Sequence, residues 1–184
     1  MGRRRQPMER SLAMVLLRCN MLFRLFTPES ALDTTDAPER GQNNMECTIN
    51  WLPSTGMGFV AETGSGHFLT MDGAPDGGGR NLAPRPMETV LAGTGGCTAY
   101  DVVLILKRGR HDVRGCSVKL TAERAPQDPK VFTRVHMQFI VTGRGLQPAT
   151  VERAIALSHE KYCSASIMLA QSAEITTGFE IVEA

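Results

Sequence analysis

The sequence predicts an α+β domain in which an antiparallel sheet carries two core helices on one side. Three observations lead there. Apolar residues alternate with polar ones in several short segments after residue 45, and two stretches with helical periodicity each open on a proline, Pro86 and Pro148. These segments follow one another as strand, strand, strand, helix, strand, strand, helix, strand. Composition agrees: 184 residues, 42% hydrophobic and 21% charged, describe an ordinary globular chain. At this length a domain buries roughly 70% of its unfolded surface and needs no disulfides or structural metal to fold. A formal charge of +1 offers no field to attract nucleic acid or an anionic membrane, so neither is expected as a partner.

The chain divides near residue 44. Residues 1–44 hold seven arginines against five acids, and the rest is close to neutral. Ser11 to Phe26 is apolar but interrupted by Arg18, Asn20 and Arg24, too short and too charged for a membrane span. No small-residue cleavage site follows it, which argues against a signal peptide. Residues 1–44 are therefore expected to be a disordered or mis-assigned extension, and residues 45–184 the domain proper.

Within the domain, Cys47, Ile49 and Trp51 alternate with polar neighbours, and Met57 to Glu62 and His67 to Met71 follow across glycine-containing turns, a short meander. Asp72 to Pro86 is rich in glycine and proline and reads as a mobile loop. It holds no phosphate-cradling glycine motif. Pro86 suits the first turn of a helix running to Arg108 and ending at Gly109. That helix is apolar nearly all round, and Gly93, Gly95 and Gly96 each cost it about 1 kcal/mol relative to alanine. A close neighbour, a second helix or a second subunit, is expected to compensate, with Cys97 at the closest approach. Val113 to Ala122 and Phe132 to Thr142 form a strand pair joined by a hairpin. A second helix follows Pro148 toward Cys163 and Ala170, and Ile175 to Val182 is the last strand. A helix buried all round argues for a dimer.

Cys19, Cys47, Cys97, Cys116 and Cys163 are odd in number and contain no C-x-x-C pair, which suits neither a disulfide framework nor a zinc ribbon. A reducing cytoplasm is the simplest compartment. His159, four residues before Cys163, would share a helical face with it, a pairing more often structural than metal-binding. Cys47 and Cys116 lie in strand patterns and read as packing residues. Cys97 and Cys163, each on a core helix, can be either small buried hydrophobes or a redox pair.

The run Pro86-Met-Glu-Thr-Val-Leu-Ala-Gly-Thr-Gly-Gly-Cys97-Thr-Ala-Tyr-Asp101, with His159-Glu-Lys-Tyr-Cys163-Ser downstream and FIVTGRGL at Phe139 to Leu146, resembles the OsmC/Ohr family (osmotically inducible protein C and organic hydroperoxide resistance protein). Within that family the YhfA-like branch is the most similar, and the likeness covers about Met45 to Ala184. The resemblance implies an intertwined homodimer whose two central helices carry the cysteines. It also implies reduction of organic hydroperoxides with a dithiol reductant. Matched residue by residue, Cys97 takes the peroxidatic position and Cys163 the resolving one. Cys97 thiolate would attack peroxide to give a sulfenic acid, Cys163 would condense with it, and an external dithiol would reopen the disulfide. This chemistry calls for no cofactor and no metal.

Two positions depart from the family's peroxidases, in which an arginine from the early strand-turn region and a glutamate directly after the helix-opening proline organise the thiolate. Here Pro86 is followed by Met87, and the acid, Glu88, comes one residue later. The early turn reads Thr63-Gly-Ser-Gly-His67, which leaves His67, Arg80 or Arg85 as substitutes for the arginine. Asp101, one turn after Cys97, would oppose thiolate formation unless a cation pairs with it. Three functions therefore stand beside one another: a cysteine peroxidase, a non-catalytic homodimeric binding or redox-sensing protein on the same scaffold, and another thiol chemistry using a base such as His67.

Overall fold

The computed structural model describes residues 45–184. The reading of residues 1–44, Cys19 included, lies outside the described residues. Strands β1 (Cys47–Leu52), β2 (Gly58–Thr63) and β3 (Phe68–Asp72) make an antiparallel three-stranded sheet in the order β1-β2-β3, the expected meander. A long helix α1 (Pro86–Arg108) follows, then β4 (Asp112–Arg124) and β5 (Phe132–Arg144), paired antiparallel through the hairpin.

The remainder differs from the expectation in three ways. The sheet is not single: β4, β5 and β6 (Glu174–Glu183) form a second three-stranded sheet, and β6 runs parallel to β5. A parallel neighbour needs a crossover rather than a hairpin, and residues 145–173 supply one that is helical. The second core helix is also not continuous. It is α2 (Pro148–Leu157), then a π-helical turn over Ser158–Tyr162, an extended Cys163 at φ −76° and ψ 94°, and the short α3 (Ser164–Leu169). Finally, α1 is buried along one face only within the chain, through Thr94, Gly95, Thr98, Val102 and Leu106, while Val90 and Tyr100 stand exposed.

The core lies between α1, α2 and the second sheet. Because β5 is central in that sheet, Phe132, Val135, Met137, Phe139 and Val141 are all buried, and they meet Val102 and Leu106 of α1 and Val151, Ala154 and Ile155 of α2. Burial of each such large side chain is worth about 1.5–3 kcal/mol. These contacts fix the inner face of α1 and so the height at which Cys97 stands above the sheet. By length and composition α1 could also cross a membrane, though its inner face is already committed to this core.

The glycine- and proline-rich loop is more ordered than its composition suggests. Asp72, 2% exposed, accepts hydrogen bonds from the backbone N–H groups of Gly73 (2.7 Å), Arg80 (3.0 Å) and Leu82 (3.0 Å), so one carboxylate cinches the whole excursion. An aspartate followed by glycine is a turn signal in its own right. These amides, that of Leu82 foremost, hold the Asp72 carboxyl below its ordinary range.

Candidate functional site: two cysteines at a helix break

Cys97 and Asp101 stand four residues apart on α1, and at helical spacing their side chains share a face. Across from them the α2 path breaks. The π-turn widens the helix, Cys163 leaves helical geometry, and α3 starts afresh with Cys163 as its N-cap. The break turns Cys163 toward α1: the two sulfurs and an Asp101 carboxylate oxygen all lie within 4.8 Å of one another. Cys163 is fully buried and Cys97 half-buried.

Around the sulfurs the polar groups are satisfied. Ser166 N–H donates to Cys163 Sγ at 3.4 Å, and the Ala165 amide bonds to Cys97. Ser158 Oγ donates to Asp101 Oδ2 at 3.2 Å and shares a 2.9 Å hydrogen bond with Thr98 Oγ1. Ser166 Oγ donates to the Cys163 carbonyl at 3.1 Å and lies 3.4 Å from His159 Nδ1. Ser158 and Ser166 are themselves fully buried, so this network is internal.

Electrostatically the site disfavours a thiolate. Burial pushes the Cys97 thiol above its ordinary range. The hydrogen bond with Cys163 and the negative charge of Asp101 push the same way, while the Ala165 amide pulls back. No cationic side chain among the described residues contributes to that balance. The ion pairs seen there join Arg114 to Asp112, and Arg134 to Glu123 and Glu174, and leave Asp101 out.

The remaining sequence candidates sit elsewhere in the chain. Glu88 accepts a hydrogen bond from Arg85 N–H at 2.9 Å and caps α1. Nine residues before Cys97, it is about 14 Å away along the helix axis. Arg85, still earlier, lines with Glu88, Met87 and Asp72 a pocket of about 470 Å³ beside the loop. His67 bonds Ser65 Oγ at 3.1 Å in the β2–β3 turn, and the Arg80 backbone is tied to Asp72. Cys47 is exposed, and Cys116 is half-buried with its thiol raised by that burial. The pairing of His159 with Cys163 on one helical face is not formed, because the π-turn and the extended Cys163 intervene.

Sequence reasoning missed Ser158, Thr98 and Ser166. The only trace of them in the chain is a serine or threonine beside each cysteine or one turn from it, a pattern too common to single out. A second concavity, about 510 Å³, opens along the seam of α1 and β4, between Gly96, Tyr100 and Leu104 on one side and Arg114 and Cys116 on the other.

The family model described as OsmC-like protein matches residues 77–178, a span that contains both cysteines. Protein YhfA of Escherichia coli K12 is 48% identical over 140 residues, covering 76% of this chain and all of the relative. A solved structure from structural genomics is 46% identical with a TM-score of 0.68, covering 76% of this chain and 100% of its own. An organic hydroperoxide resistance protein from Elizabethkingia anophelis, 14% identical and covering 78% of this chain and 99% of its own, shares the fold at a TM-score of 0.59.

Proposed function

We propose, because this chain belongs to the OsmC-like protein family, that it is a homodimeric thiol-dependent peroxidase reducing organic hydroperoxides in the cytoplasm. One observation carries the reading: a half-buried Cys97 faces a fully buried Cys163 across a helix break, with sulfurs within 4.8 Å. Cys97 thiolate attacks the outer peroxide oxygen, the O–O bond breaks, and an alcohol leaves as Cys97 becomes a sulfenic acid. Cys163 thiol then displaces water to form the disulfide, and an external dithiol reduces it by exchange. Cys163 lies at the one non-helical residue between the π-turn and α3, so its sulfur reaches Cys97 from a position that a continuous helix would not give it. Neither nucleic acid nor a membrane is part of the proposal.

The thiolate needs a counter-charge that the described chain does not provide, and a second copy is its proposed source. The open outer face of α1, with Val90 44% and Tyr100 68% exposed, is where that copy would seat. Arg85 and Glu88, too far from Cys97 in their own chain, are the charged pair we assign to the partner's site.

The same missing cation favours a second reading, a non-catalytic dimer that binds a small apolar ligand or senses oxidation. The pocket beside Gly96 and Tyr100 is its candidate site. Stopped-flow mixing of reduced protein with cumene hydroperoxide and with hydrogen peroxide decides between them. A rapid stoichiometric Cys97–Cys163 disulfide, faster with the organic peroxide, supports the peroxidase. Cys97→Ser should abolish turnover, and Cys163→Ser should leave the first oxidation and trap a sulfenic acid. Thiols that oxidise no faster than free cysteine would refute catalysis.

A further inference from the structure

The three side chains at the helix break also meet the requirements of a thiophilic cation. In a tetrahedral zinc site, with Zn–S about 2.3 Å and Zn–O about 2.1 Å, two sulfurs stand about 3.8 Å apart and sulfur and oxygen about 3.6 Å. Cys97 Sγ, Cys163 Sγ and the Asp101 oxygen are already within 4.8 Å of one another. Closing on an ion therefore takes movements of about 1 Å, within reach of side-chain torsions.

The surroundings are those of a metal's outer shell. Ser158 steadies Asp101 through Oδ2, and the Ser166 and Ala165 amides donate to the two sulfurs. Such contacts orient ligands and spread thiolate charge. A carboxylate beside two potential thiolates is repulsive while no cation is present, and a dication reverses that balance. Cys163 is buried while Cys97 and Asp101 are only partly so, which leaves a fourth position open to water.

We propose that the reduced protein binds one zinc-type divalent cation per chain through Cys97, Cys163 and Asp101, and that metal occupancy and peroxide chemistry exclude each other. The proposal shares residues with the peroxidase reading but rests on ligand placement alone. Binding converts two thiols to two metal thiolates and releases two protons to solvent, with no change of oxidation state. While the ion is bound neither sulfur is free to attack a peroxide. Once the disulfide forms, the ligands are gone.

The test titrates the reduced, metal-free full chain with cobalt(II), and with zinc(II) against a chromophoric chelator. One cobalt per chain should produce a thiolate-to-cobalt charge-transfer band that zinc abolishes. Cys97→Ser or Cys163→Ser should lower zinc affinity about 100-fold or more, and Asp101→Asn about 10- to 100-fold. Cys47→Ser and Cys116→Ser should leave it within about twofold, and the pre-formed disulfide should abolish it. Absence of the band, its survival in Cys97→Ser, or its loss in Cys116→Ser would overturn the proposal. Asp101→Asn keeps the side-chain shape and so preserves the test if a cysteine variant fails to fold. Peroxide turnover of the metal-free protein is measured separately. Binding without turnover removes only the peroxidase reading, and turnover without binding removes only this one.

Discussion

Alanine at each of the three glycines of α1 tests whether a second copy covers the helix. Relative to glycine, alanine gains a helix interior about 1 kcal/mol. At Gly95 an added Cβ would lie 2.6 Å from Leu120 Cδ1, well inside the 3.5–4.0 Å of ordinary carbon contact. Displacing Leu120 carries the usual overpacking cost of about 1–3 kcal/mol, so Gly95→Ala should lose about 1 kcal/mol net. At Gly93 and Gly96 an added Cβ meets nothing within 4 Å in the single chain. There the whole gain of about 1 kcal/mol should appear, unless another copy already fills the space. With a partner seated on that face, Gly93→Ala and Gly96→Ala should instead destabilise by about 1–3 kcal/mol and weaken association. Urea unfolding at two protein concentrations 100-fold apart is the assay. A dimer that unfolds as it dissociates gains about 2.7 kcal/mol over that range, and a monomer gains none. Stabilisation by both outer substitutions, with a midpoint independent of concentration, would refute the covered face. A Gly95→Ala protein more stable than the parent would refute the Leu120 argument.

Two further outcomes are expected. Asp101→Asn removes a negative neighbour that adds to burial and the Cys163 hydrogen bond in raising the Cys97 thiol, so alkylation of Cys97 by iodoacetamide at pH 7.5 should quicken and its pH profile should move to lower pH; an unchanged profile would show that burial and Cys163 set the thiol without Asp101. The Asp72 carboxyl is lowered by the loop amides, so its contribution is complete above the ordinary carboxylate range and is lost as pH falls through its folded value. Protection of the Arg80 and Leu82 amides should persist through the ordinary carboxylate range and fall only below it, and in Asp72→Asn it should be lost already at neutral pH. Equal protection of these two amides in the parent and in Asp72→Asn at neutral pH would exclude Asp72 as the loop's clasp.

The sequence by itself determined the strands, α1 and the place of a second helical segment, because their signals are local. Alternation along Phe132 to Val141 marks β5, and Pro86 and Gly109 bracket α1. The two cysteines were legible only through the longer motif around each, since an isolated buried cysteine says nothing of a partner some sixty residues away. What tertiary structure decided is everything that depends on chain path. The direction of β6 follows from the helical crossover that leads into it. The meeting of Cys163 with Cys97 depends on a π-turn and one extended residue, for which Ser-His-Glu-Lys-Tyr carries no breaker of the proline or glycine kind. The loop's order depends on which amides reach Asp72, ten residues of chain folded back onto one carboxylate. Residues adjacent in sequence announce their conformation through sterics and periodicity. Contacts between distant ones exist only once the core of α1, α2 and β5 has set the elements at fixed separations.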